Sequence, residues 1–163
     1  LIPFRDSIAP VMKLHPGYGK PEFFASLVKG DGLDWQIIRH CDLYELLSDA
    51  AAVITTQSTV GLEAIALGKP VIIIDLPEIP EAIPYRQYNS ALMVGSADKL
   101  SAAVRMILDN NIQIQDIKNA GRRFIEDYLY RLDGQSTNRV LELIIDEIES
   151  HDRKEIDAIG IEI

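Results

Sequence analysis

The 163-residue chain is as informative in what it lacks as in what it holds. A single cysteine, Cys41, excludes an internal disulfide and fits a reducing compartment, here expected to be the cytoplasm. No apolar run approaches the roughly 20 residues of a membrane span, and no signal peptide opens the chain, so an integral membrane protein is not expected. Basic charge is scarce: a net charge of −9 leaves no footprint for nucleic acid or an anionic membrane. Neither G-x-x-x-x-G-K-[ST] nor G-x-G-x-x-G occurs, and no G-x-S-x-G elbow or Cys/His arrangement points to covalent catalysis. His40-Cys41-Asp42 has no second ligand pair at metal spacing, so no metal site is expected.

What is present is ordinary globular composition, 47% hydrophobic and 25% charged, in a chain long enough to bury a full core. Short apolar runs at Val11–His15, Trp35–Arg39, Ala51–Thr56, Val71–Asp75 and Ser90–Val94 read as strands. Several are continuously apolar, as parallel strands covered on both faces must be. Helical patterns alternate with them: PEFFASLVKG, then DLYELLSDA with Asp42 and Glu45 at capping-box spacing, then a helix inside TTQSTVGLEAIALGKPVI. This alternation predicts an α/β fold, a Rossmann-like doubly wound parallel sheet of about five strands, followed by C-terminal helices. Those helices are read from three stripes: Leu100, Ala103, Val104, Ile107 and Leu108; Ile114, Ile117, Phe124, Ile125, Tyr128 and Leu129; and Leu141, Ile144, Ile145 and Ile148. One domain is expected over 1–150, with 151–163 as a charged-then-apolar tail. The chain starts at Leu1 in what reads as a loop, and is expected to belong to something longer.

Three features carry candidate chemistry. In KLHPG, Pro16 stops the first strand and keeps His15 extended at the carboxyl edge of the sheet, placed to donate to an anion or simply to cap the strand. With Ser58 as N-cap, the amides of Thr59, Val60 and Gly61 would be open at a helix start, which is an anion site. Gly61 and the small residues after it would let the backbone approach ligand and sheet closely. Glu63 lies one turn below Thr59 in a helix that looks buried nearly all round. A carboxylate there needs a partner, and a pair of ligand hydroxyls would serve; an exposed glutamate favoured by the helix dipole is the plainer reading. The proline-rich DLPEIPEAIPYRQYN reads as an irregular loop, functional or merely a rigid connector, with Asp75 facing a crevice or capping the loop and Arg86 reaching an anion or solvated.

Taken in order, KLHPG, the stretch DLYELLSDAAAVITTQSTVGLEAIALGKPVIIID and YLYRLDGQSTNRVLELI resemble the C-terminal half of GT-B-fold proteins, over nearly the whole chain from about Val11 to about Ile148. The closest likeness is to cell-surface polysaccharide enzymes: capsule-type glycosyltransferases, CDP-glycerol glycerophosphotransferase-like proteins and non-hydrolysing UDP-N-acetylglucosamine 2-epimerases. The resemblance implies a domain that binds a nucleotide-activated sugar or a CDP-polyol as substrate, with no cofactor. It implies diphosphate binding by His15, Gly17, Ser58, Thr59, Val60 and Gly61, with His15 stabilising phosphate and Glu63 gripping the ribose. It implies as well a missing N-terminal domain that holds the acceptor site and usually the catalytic base. The fragment alone would then be inactive, and any membrane attachment would be peripheral, through that missing domain; the tail is a candidate for docking there. The epimerases read like DSGGIQEE where this chain has QSTVGLEA, which favours a transferase. An epimerase and a non-catalytic nucleotide-sugar binding module are the alternatives.

Overall fold

The computed structural model describes residues 1–17 and 20–159, with side chains as far as residue 151. The last isoleucines of the tail, and their expected docking, lie outside the described residues. The chain divides into two compact units, Leu1–Ile125 and Glu126–Ile163.

The first unit is α/β. Its strands are β1 (Val11–Lys13), β2 (Gln36–Ile38), β3 (Val53–Thr55), β4 (Val71–Ile74) and β5 (Leu92–Val94), all paired in parallel. Helices separate them: α1 (Pro21–Val28), α2 (Leu43–Asp49), α3 (Thr59–Ala66) and the one-turn α4 (Tyr85–Tyr88). Then come α5 (Ala97–Leu108) and α6 (Ile112–Leu129). The strands are hydrogen-bonded in two groups, β1–β2 and β3–β4–β5. In the second group Val53 faces Val71, and Ile72 faces Leu92. This is the Rossmann-like architecture expected of one half of a GT-B fold.

β4 shows why a continuous apolar run becomes a central strand. Val71, Ile72 and Ile73 are wholly buried. Val71 and Ile73 join one cluster with Leu62, Ala64 and Ile65 of α3 and Phe124 of α6. Ile72 joins the opposite one, with Phe4, Val94, Ala103 and Val104. Successive side chains point to opposite faces, so only a strand covered on both sides can bury every residue. Phe4 belongs to a 3-10 turn, Ile2–Phe4, so the chain start is ordered and packed where the sequence suggested a loop. Among the described residues no helix is long and apolar enough to cross a membrane.

The second unit is the end of α6 and α7 (Ser136–Ile159). Gly134 takes a positive φ of 70°, and Asp133 accepts from the Gln135 amide at 3.0 Å and pairs with Arg139 at 2.8 Å, closing the turn before α7. Arg139 holds the Asp133 carboxyl below its ordinary value, chiefly by that hydrogen bond. The Leu141, Ile144, Ile145 and Ile148 stripe forms as expected, but each of these side chains is about half exposed.

Candidate functional site

α3 leaves the carboxyl edge of β3 through Thr56 and Gln57. Ser58 is its N-cap: extended at φ −127° and ψ 142°, its Oγ accepts from the Val60 amide at 3.3 Å. The far end is a Schellman stop, with the Gly68 amide on Ile65 O and the Lys69 amide on Ala64 O, both at 2.9 Å. Gly68 takes φ 72°, as a glycine one residue past a helix commonly does.

Two expectations about this helix need correction. Its start is less open than expected: Ser58 Oγ takes the Val60 amide and the Ser58 carbonyl takes the Gly61 amide at 3.0 Å, so that among the described residues only Thr59 of the three lacks a protein acceptor. A serine cap satisfies orphan donors with its own oxygens, and does so here. Nor is the helix buried all round. Gly61, Leu62, Ala64 and Ile65 are buried, but Thr59 and Leu67 are exposed and Glu63 is half-buried, which defines one open flank. Thr59 and Glu63 stand one turn apart on that flank. Among the described residues the Glu63 side chain has neither hydrogen bond nor ion pair.

Gly61 does approach the sheet, an added Cβ standing 3.5 Å from Thr55 Cγ2 of β3, but its tightest neighbour is one that was not expected. A Cβ there would collide with the Tyr85 hydroxyl oxygen and stand 3.0 Å from the ring carbon bearing it. The close approach is to a side chain of the β4–β5 connection. Tyr85 is wholly buried and donates to the Ser58 carbonyl at 2.7 Å. Gln57 Oε1 accepts from the Ile83 amide of the same connection at 3.2 Å. Sequence reasoning missed Tyr85, Gln57 and the α4 turn that carries Tyr85. Pro84 stands at the N-cap of α4, where a proline does not stop a helix, so the prolines did not exclude one. The signal available was Gly61 itself, a helix-interior glycine that costs about 1 kcal/mol against alanine and so calls for a close neighbour.

Asp75 and Arg86 resolve together. Arg86 donates to Asp75 at 2.8 Å and lies 3.6 Å from Glu81, so both side chains tie the connection down. The Asp75 hydrogen bond and charge raise the Arg86 guanidinium above its ordinary value.

His15 and Gly17 form a separate group after β1. His15 is exposed, and its Nδ1 accepts from the Gly17 amide at 3.1 Å. Arg39, past the end of β2, donates to the Pro16 carbonyl at 3.0 Å and holds this turn. Ser58, Thr59, Val60, Gly61 and Glu63 therefore share one helix start, while His15 and Gly17 share a turn on the other strand group. Among the described residues no three His, Cys, Asp or Glu side chains gather into a metal cluster.

No protein-family model matches the sequence, and no curated protein matches it. Among solved structures the chain is similar to the crystal structure of CalG4, the calicheamicin glycosyltransferase, at 21% identity and a TM-score of 0.48. The likeness covers 94% of this chain and 45% of that one, so this chain spans less than half the length of its structural neighbour.

Proposed function

We propose that this chain is the donor-binding domain of a glycosyltransferase, or of a glycerophosphotransferase-like enzyme, in cell-surface polysaccharide synthesis. The observation that carries the reading is Glu63: a half-buried carboxylate with no hydrogen-bond or ion-pair partner among the described residues, one turn below a Ser-Thr helix start at a strand's carboxyl edge. In parallel α/β sheets that edge is where ligands bind.

On this reading the Thr59 amide and hydroxyl, with Ser58, donate to the diphosphate of the donor, helped by the positive end of the α3 dipole. Binding that engages the Val60 amide exchanges its bond to Ser58 Oγ for one to a phosphate oxygen. Glu63 accepts from the ribose hydroxyls. His15 donates from Nε2 to a phosphate oxygen, and the Gly17 amide fixes its ring. In the transfer step an acceptor oxygen bonds to the anomeric carbon, or to phosphorus for a CDP-polyol donor. The bond to the leaving nucleotide breaks, and its electron pair departs on phosphate oxygen, where the helix start and His15 stabilise the charge. The acceptor site and the base that takes the acceptor's proton would come from a further domain. The setting would be cytoplasmic.

Calorimetric titration with UDP, CDP, CMP and GDP tests binding directly. Glu63→Ala and His15→Ala are each expected to weaken the best of these about tenfold, the loss of one charge-assisted hydrogen bond. Unchanged titration curves for both variants would overturn the assignment.

A further inference from the structure

The connection between β4 and β5 leaves the same sheet edge as α3, where a long loop invites the reading of a lid. Its bonds describe something else. Tyr85 is wholly buried, and its hydroxyl donates to the Ser58 carbonyl at 2.7 Å. That carbonyl also accepts from the Gly61 amide at 3.0 Å, so both lone pairs of the N-cap carbonyl are engaged. The hydroxyl fills the space that any side chain on residue 61 would need. Around it the connection is fixed at several points. Ile83 bonds Gln57, Arg86 bonds Asp75, and the Ser90 amide bonds the Tyr85 carbonyl at 3.1 Å. The ring meets Phe124 edge-on, with centroids 5.7 Å apart.

We propose that Tyr85 is a positioning residue for the helix start: it fixes the peptide between Ser58 and Thr59, and with it the direction in which the Thr59 amide is presented to a phosphate. The carbonyl of Ser58 and the amide of Thr59 belong to one planar peptide unit, so holding the oxygen holds the N–H. The inference rests on the diphosphate reading of α3 and adds that its geometry is set from behind, by a phenol donating to the opposite end of that peptide. Gly61 is then a consequence of Tyr85 rather than of the ligand.

Tyr85→Phe removes the oxygen and little else. It is expected to weaken UDP binding about fivefold, the loss of one neutral hydrogen bond's worth of preorganisation. It is also expected to speed amide hydrogen exchange at Val60 and Gly61. Ile125→Val trims the same core cluster but leaves the hydroxyl in place, so it lowers the melting temperature without changing UDP affinity. Gly61→Ala lowers the melting temperature by collision, and Tyr85→Phe in that background recovers part of the loss, so the two substitutions are non-additive. Unchanged UDP affinity in Tyr85→Phe, or an equal loss in Ile125→Val, would overturn the positioning role. If the wild-type chain binds none of UDP, CDP and GDP, the diphosphate reading fails by itself; if CDP or GDP is the one bound, it replaces UDP in these titrations. The exchange rates and the Tyr85–Gly61 cycle still decide the strut, which strict additivity and unchanged exchange would exclude.

Discussion

The two strand groups of the first unit are built to different standards. β4 is flanked by β3 and β5, and three of its four residues are wholly buried. α3 gives that core four buried residues, and α6 adds Phe124. β1 and β2 form only a pair, Val11 is 39% exposed, and α1 has no buried residue at all. Phe23 and Leu27 of α1 are 59% and 64% exposed. The proposed phosphate and ribose grip, Ser58 to Glu63, stands on the first group, and His15 with Gly17 on the second. The difference teaches where rigidity is invested: the helix start stands on a buried core and a strut, while the exposed turn that carries the histidine is bonded by the Gly17 amide and by Arg39.

The largest expected effect breaks that contrast if it fails. Phe124→Ala empties a wholly buried ring site against Tyr85 and Tyr88 and should cost about 3–5 kcal/mol. Phe23→Ala, on the exposed α1, should stay within about 0.5 kcal/mol. Urea unfolding of the two variants compares them directly, and equal losses would mean that α1 carries core weight its exposure does not suggest.

The same contrast explains what could be read from the sequence. Val71–Ile74 was legible because a continuous Val-Ile run has one economical home, a strand covered on both faces. The caps at Asp42 and Ser58 were legible because a side-chain oxygen beside a helical pattern names its own partner, and each accepts the amide of a residue two or three positions on. Tyr85 was not legible: its partner Ser58 lies 27 positions away, and no periodicity in DLPEIPEAIPYRQYN marks one side chain as buried. Nor was the open flank of α3, because Thr59 and Leu67 follow from which neighbours are absent beside the helix. The burial of Phe4 depended on strands that come more than sixty positions later. Local chemistry was readable, and long-range contact was not.

Two glycines sharpen the comparison at smaller scale. Gly30 and Gly68 each follow a helix with positive φ, 88° and 72°, and neither has a neighbour within 4 Å of an added Cβ. Alanine at either position should therefore cost only the left-handed strain, about 1–2 kcal/mol locally. At Gly68 the whole cost should appear in the global unfolding free energy, since α3 unfolds only with the core. At Gly30 much of it should appear instead as faster amide exchange within α1, which can open alone. Equal global losses would show that α1 is as cooperative with the sheet as α3.

The smallest effects separate the two ends of the proposed site. Ser58→Ala removes the oxygen that accepts the Val60 amide and should cost about 1 kcal/mol of stability, the usual weight of an N-cap. His15→Ala removes an exposed ring that accepts from the Gly17 amide, two residues away, and should change stability by less than about 0.5 kcal/mol. If both residues face phosphate, both variants should lose nucleotide affinity, so for His15 the binding loss stands nearly alone. That pattern, measured by unfolding and by UDP titration on the same samples, would show ligand contact at His15 unmixed with folding. A His15→Ala loss of stability as large as that of Ser58→Ala would instead make the histidine a fastening of the β1 turn.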